Sequence, residues 1–169
     1  MKSSSSAVPH SFADSFVSSD AFRALFREGM GLVEATAAYL DGPGRDQSKG
    51  LPRMVALTYA SESMRLTTRL MQVASWLLLQ RAVAEGELTA AQAQVQKEKV
   101  RLANQASTLT EEAAETLPQE LRDLIAHSLR LQDRIIHLDA LMDGPVTEVV
   151  VEVNPVAQQH RLLSQAFGI

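Results

Sequence analysis

Between Pro52 and Gly86 the chain contains no other proline or glycine, and this stretch constrains the fold more than any other part of the sequence. Proline is tolerated in the first turn of a helix and glycine supplies a stop. The spacing therefore predicts one helix from Leu51-Pro52 to Glu85-Gly86, roughly 50 Å long at 1.5 Å per residue. Along it Leu57, Met64, Met71 and Leu78 recur every seven residues, while Leu66, Leu70, Val73 and Leu77 follow a separate three-four spacing. At about 100° per residue the two stripes lie on nearly opposite sides. A helix that is apolar on opposite sides must be covered twice.

Two further long helices are predicted around it. One starts near Asp20, taken as its N-cap, and ends before Asp41-Gly42-Pro43-Gly44, with Phe22, Phe26, Val33, Ala37 and Leu40 as its apolar stripe. Gly29 and Gly31 mark close approach to a neighbouring helix. The other follows a Thr116–Gln119 capping box around Pro118 and stops at Met142, before Asp143-Gly144-Pro145. Its stripe is Leu121, Leu124, Leu131, Ile135, Leu138 and Met142. Between them, Thr89 and Gln92 form a capping box for a shorter polar helix reaching about Ala103, anchored by Val95 and Leu102, and Thr108 to Glu115 is an acidic connector. The fold class is all-α: an antiparallel three-helix bundle with room for a short fourth helix. The domain covers 20–142. Residues 1–19, Ser-rich and aperiodic, form a flexible arm. Residues 143–169 form an extended tail whose Leu162, Leu163, Ala166 and Phe167 share one short helical face that needs a partner.

Composition narrows the chemistry. The 169 residues suffice for one soluble domain, with roughly 70% of the unfolded chain's surface buried on folding. There is no cysteine, which removes thiolate catalysis and cysteine-ligated zinc. The net charge of −4 disfavours a general grip on nucleic acid or anionic lipid. Lys97, Lys99 and Arg101 are interrupted by Glu98 and make a poor basic patch. No apolar stretch approaches the roughly 20 residues of a membrane span, and no leader segment precedes the domain, so the expected location is cytoplasmic.

No enzyme is visible. His127 and His137 are ten residues apart and fall opposite the apolar stripe of their helix, where Asp123 and Asp133 would pair with them at four-residue spacing. The loop from Gly42 to Gly50 lacks the order of a phosphate loop and follows a helix, so it is a turn between antiparallel helices. Glu111, Glu112 and Glu115 sit in an exposed linker with nothing to separate their pKa values. No cofactor and no metal is implied.

One polar ridge stands out. Glu62, Arg65, Arg69, Gln72 and Trp76 line up at three- and four-residue steps between the two apolar faces of the long helix. In one reading it is a core seam, with Glu62 paired to Arg65 and the sole tryptophan completing the core. In the other, Arg65, Arg69, Gln72 and Trp76 contact a partner, since Arg and Trp dominate interface hot spots.

The stretch Ser61 to Val83, SESMRLTTRLMQVASWLLLQRAV, with Tyr39-Leu40-Asp41-Gly42 and Gly44-Arg45 before it, resembles the alphaproteobacterial regulator of CtrA degradation (RcdA) family. The likeness continues through Leu117-Pro118 to Leu141 and the Asn154-Pro155-Val156 to Phe167 tail. It implies a dimeric three-helix-bundle adaptor, without catalysis, that helps deliver cell-cycle substrates to the ClpXP protease. No functional residue transfers with it, because no short motif defines the family. The residues agree on two counts: Leu57, Met64, Met71 and Leu78 would form the dimer interface, and Leu162, Leu163 and Phe167 would dock into a partner. The competing class is a helical bundle, ligand-binding or enzymatic, with a pocket between the Phe22/Phe26 and Met64/Met71 faces.

Overall fold

The computed structural model describes residues 12–99 and 109–143. Among these, seven helices form an all-α bundle: α1 (Phe12–Val17), α2 (Asp20–Asp41), α3 (Pro43–Lys49), α4 (Arg53–Ala84), α5 (Ala90–Lys99), α6 (Glu111–Glu115) and α7 (Gln119–Met142). The three long helices α2, α4 and α7 are those the sequence predicts, and α5 is the short fourth. Thr89 and Gln92 cap α5 reciprocally, the Thr89 N–H donating to Gln92 Oε1 and the Gln92 N–H to Thr89 Oγ1.

Paired positions fix the directions. Gly29 of α2 faces Leu77 of α4, and Gly44, just past α2, faces Tyr59, so α2 and α4 run antiparallel. Arg69 and Trp76 of α4 meet Ser128 and Asp139 of α7 in ascending order, so these two helices run in the same direction. Up-down-up connection would have reversed α7. Instead α5 folds back beside α4, and α7 begins at the end of the bundle where α4 begins.

Burial follows the second α4 stripe. Leu66, Val73 and Leu77 are fully enclosed with Leu121, Leu131 and Ile135 of α7, and Leu70 is nearly so. On α2 the buried positions are Phe22, Leu25, Gly29, Leu32, Thr36 and Tyr39. That is a cleaner three-four series than the apolar residues alone suggest, because it passes through a glycine and a threonine; Ala37, placed in the stripe by sequence, is exposed. A Cβ on Gly29 would run into Leu77, as close packing requires, whereas Gly31 faces open space and has no such role.

Several boundaries differ from the sequence reading. Phe12–Val17 is a helix where a flexible arm is expected. Phe12 stacks on Phe16, Phe16 packs edge-on against Phe22, and Val17 is buried, so aromatic contacts order a segment that has no periodicity of its own. Ser19, one residue before Asp20, is the α2 N-cap and accepts from the Phe22 N–H. The Gly42–Gly50 loop is the helix α3. On α5 Ala93 is buried and Val95 exposed; Leu102 lies outside the described residues. Thr116 does not cap α7: its hydroxyl donates back to the Ala113 carbonyl, and Thr110 caps α6.

Gly44 explains the tight α2–α3 corner. A side chain there would strike the Tyr39 ring and the Tyr59 hydroxyl. Gly44→Ala is therefore expected to lower stability by about 1–3 kcal/mol through overpacking, outweighing its gain in helix propensity, as urea denaturation would measure. Tyr39 itself donates to Gln47 Oε1 at 2.9 Å. Burial, with Tyr59 alongside, pushes the Tyr39 phenol from 10.0 up to about 12. Between these values the unfolded chain binds fewer protons than the folded one. Stability should hold below pH 10 and fall as pH rises toward 12. Comparing urea midpoints of the wild type and Tyr39→Phe across that window checks it, since the variant lacks this component of the slope.

Candidate interaction surfaces

The two α4 stripes have opposite fates. While one builds the core, Leu57, Met64, Met71 and Leu78 stand 52–71% exposed, joined by Met54 at 72%. The charged residues of α4 between Arg53 and Arg81 are Glu62, Arg65 and Arg69, none of them on this face: Glu62 and Arg69 are buried and Arg65 half-buried. Its smaller positions are Ala, Ser and Thr. The hydroxyls of Thr67, Thr68 and Ser75 donate to the carbonyls of Ser63, Met64 and Met71 at 2.8–2.9 Å, so they are satisfied within the helix. The result is an uncharged seam with a seven-residue repeat, the pattern by which helices pair side by side.

The polar ridge lies inside. Glu62 and Arg69 are each 3% exposed and Trp76 1%. Arg69 donates to Ser128 Oγ at 2.8 Å, and Glu62 pairs with Arg65 at 3.3 Å. Burial lowers the Arg69 pKa, Glu62 opposing it. The Trp76 indole N–H donates to Asp139 Oδ1 at 2.6 Å, and the Lys97 ammonium takes the same oxygen at 2.5 Å and Asp143 at 2.6 Å. Burial alone would push Lys97 down, but its hydrogen bonds to Asp139 and Asp143 prevail and hold it above the ordinary lysine range. Arg69 and Trp76 are thus corrected from candidate partner contacts to the joint between α4 and α7. Amphipathic side chains and an indole N–H can be buried when each finds a partner, and here α7 supplies them. Arg65 and Gln72 remain half-buried at the edge of this joint. Leu162, Leu163 and Phe167 lie outside the described residues.

Other candidates resolve in the same way. His127 does not pair with Asp123; it meets Glu28 of α2 at 3.0 Å, and Arg134 meets the same carboxylate at 2.8 Å. Burial raises the Glu28 pKa, but His127 and Arg134 outweigh it and hold the carboxyl below the ordinary range. Asp123 instead accepts from Gln119. Met64 and Met71 line no pocket with Phe22 and Phe26, because they are on the outward side of α4. Phe22 and Phe26 belong to a separate open groove with Arg23, Arg27 and Arg81. That groove was not apparent in the sequence, since its residues come from three helices. Among the described residues no group of three His, Asp or Glu side chains could hold a metal ion, and no helix is long and apolar enough to cross a membrane.

The fold and its surfaces define an all-α bundle whose most distinctive exposed feature is a long uncharged helical face. Comparison with known proteins places the chain within this class. Residues 13–167 match a family model described as "Protein of unknown function (DUF1465)". The solved structure of RcdA from Caulobacter crescentus CB15 is similar at 51% sequence identity and a TM-score of 0.62, covering 76% of this chain and 96% of that one. No curated protein matches the sequence. The chain belongs to the RcdA family.

Proposed function

We propose that this protein is a non-catalytic adaptor that acts through protein–protein contact as a homodimer joined by the α4 stripe. The observation that carries this reading is the uncharged run of Met54, Leu57, Met64, Met71 and Leu78 on an outward helix face. Interface centres are depleted of charge and enriched in methionine, and a two-fold interface needs one self-complementary patch. Membership in the RcdA family supports the finer reading: assistance to the ClpXP protease in degrading cell-cycle regulators, in the cytoplasm. Contacts with ClpX, cargo or other adaptors then fall to the half-buried Arg65 and Gln72 beside the stripe and to Leu162, Leu163 and Phe167 of the tail.

The test is a reconstituted ClpXP reaction with a cell-cycle regulator from the same cell as substrate. Adding the full chain should raise the degradation rate several-fold and saturably. A rate that stays unchanged at saturating concentrations of this protein would remove the proteolytic role.

A further inference from the structure

The end of the bundle where α7 stops carries two joined grooves. The first, of about 440 Å³, includes Met142 and Asp143 in its wall together with Ala84, Ala93 and Val17. The second, of about 920 Å³, shares Val17, Ser18 and Ala84 with the first and continues over Phe22 and Phe26 to three arginines, Arg23, Arg27 and Arg81. Arg81 lies over the Phe26 ring at 5.2 Å and also meets Glu85, while Arg23 meets Asp20. Both ion pairs are on the surface and worth little individually. Three guanidiniums against two carboxylates leave the apolar groove cationic.

The chain that leaves Asp143 has the complementary pattern. Residues 144–155 read Gly-Pro-Val-Thr-Glu-Val-Val-Val-Glu-Val-Asn-Pro, with two carboxylates and no cation. As an extended segment it would place Thr147, Val149, Val151 and Val153 along one edge and Glu148 and Glu152 along the other. At roughly 3.4 Å per residue, Glu148 can lie about 17 Å from Asp143 and Glu152 about 30 Å. The starting point is already in the wall of the first groove.

We infer that Val146–Val153 docks in extended form on its own bundle, entering beside Ala84 and Ala93 and setting Glu148 and Glu152 against Arg23, Arg27 and Arg81. The β-branched edge packs on the half-buried Phe26 and on the little of Val17 and Phe22 that the bundle leaves open, which fits a segment rich in strand formers in a chain whose described residues include no strand. The occupant is the same chain because its tether begins in the groove, so the effective concentration exceeds that of any separate peptide. Docking would also fix where the following Leu162–Phe167 face leaves the bundle.

The chain has no cysteine, so an engineered pair reports alone. In the full chain, Ala84→Cys with Val150→Cys should oxidise to an intramolecular disulfide at least about tenfold faster than Ala91→Cys with Val150→Cys. Ala91 is an exposed position at the same end of the bundle. Arg27→Glu with Arg81→Glu, both exposed, should erase the difference, and adding Glu148→Arg with Glu152→Arg should restore it. Equal rates for the two cysteine pairs, insensitivity to charge reversal, or a disulfide joining two chains would each overturn the inference, the last assigning the groove to a second copy. None of these readouts involves ClpXP, so they stand apart from the adaptor reading.

Discussion

If the proposed dimer forms through α4, Met64→Glu combined with Met71→Glu is expected to leave a monomer of 18.4 kDa, with the helix content and the urea midpoint of the isolated bundle unchanged. Both side chains are about two-thirds or more exposed in the single chain, so its core does not depend on them. In a two-fold interface each occurs twice. Taking about 1.5 kcal/mol for each methionine withdrawn from water, the double substitution removes about 6 kcal/mol, on the order of 10⁴-fold in dissociation constant. Burying four carboxylates would add to that. Sedimentation equilibrium over a range of concentrations reads the change. A wild-type chain that is monomeric at tens of micromolar removes the dimer, and a double variant that associates like wild type moves the interface off α4.

The stripe was legible because its signal is periodic and local. Seven-residue spacing over a segment free of internal glycine and proline specifies both a helix and a face. The existence and extent of α2, α4 and α7 were readable for the same reason, whereas a glycine inside an apolar helix marked close approach at Gly29 but not at Gly31, which faces open space. What could not be read was pairing across the chain. Whether Arg69 and Trp76 point outward depends on whether a partner waits on another helix. Ser128 and Asp139 are 59 and 63 residues away, with nothing in the local pattern to announce them. Lys97, apparently part of a surface charge run, is likewise held by Asp139 and Asp143. Helix α1 escaped notice because six residues have too short a period to register, and its order comes from Phe16 meeting Phe22 in the tertiary fold. The shared direction of α4 and α7 has the same origin. Helix patterns fix faces, but the path between Lys99 and α7 decides orientation.

Trp76→Ala should therefore act on stability and not on partner binding alone. The side chain is 1% exposed among core residues of α4 and α7, and its loss opens a large cavity in a close-packed interior. The expected cost is about 3–5 kcal/mol, a large share of the roughly 5–15 kcal/mol that holds a domain of this kind folded. It also withdraws one of the two donors on Asp139 Oδ1, leaving Lys97. Trp76→Phe separates these contributions: most of the ring volume stays, the indole N–H goes, and Asp139 remains paired, so about 1–2 kcal/mol is expected. Urea denaturation followed by far-UV circular dichroism measures both, since the only tryptophan is removed in each. An interface residue would show the opposite signature, an unchanged midpoint with weakened association. If Trp76→Ala left the midpoint where it was, the joint between α4 and α7 would have to be abandoned and the indole returned to the surface. If instead the midpoint falls steeply for Ala and slightly for Phe, the outward methionines remain the part of α4 available to partners.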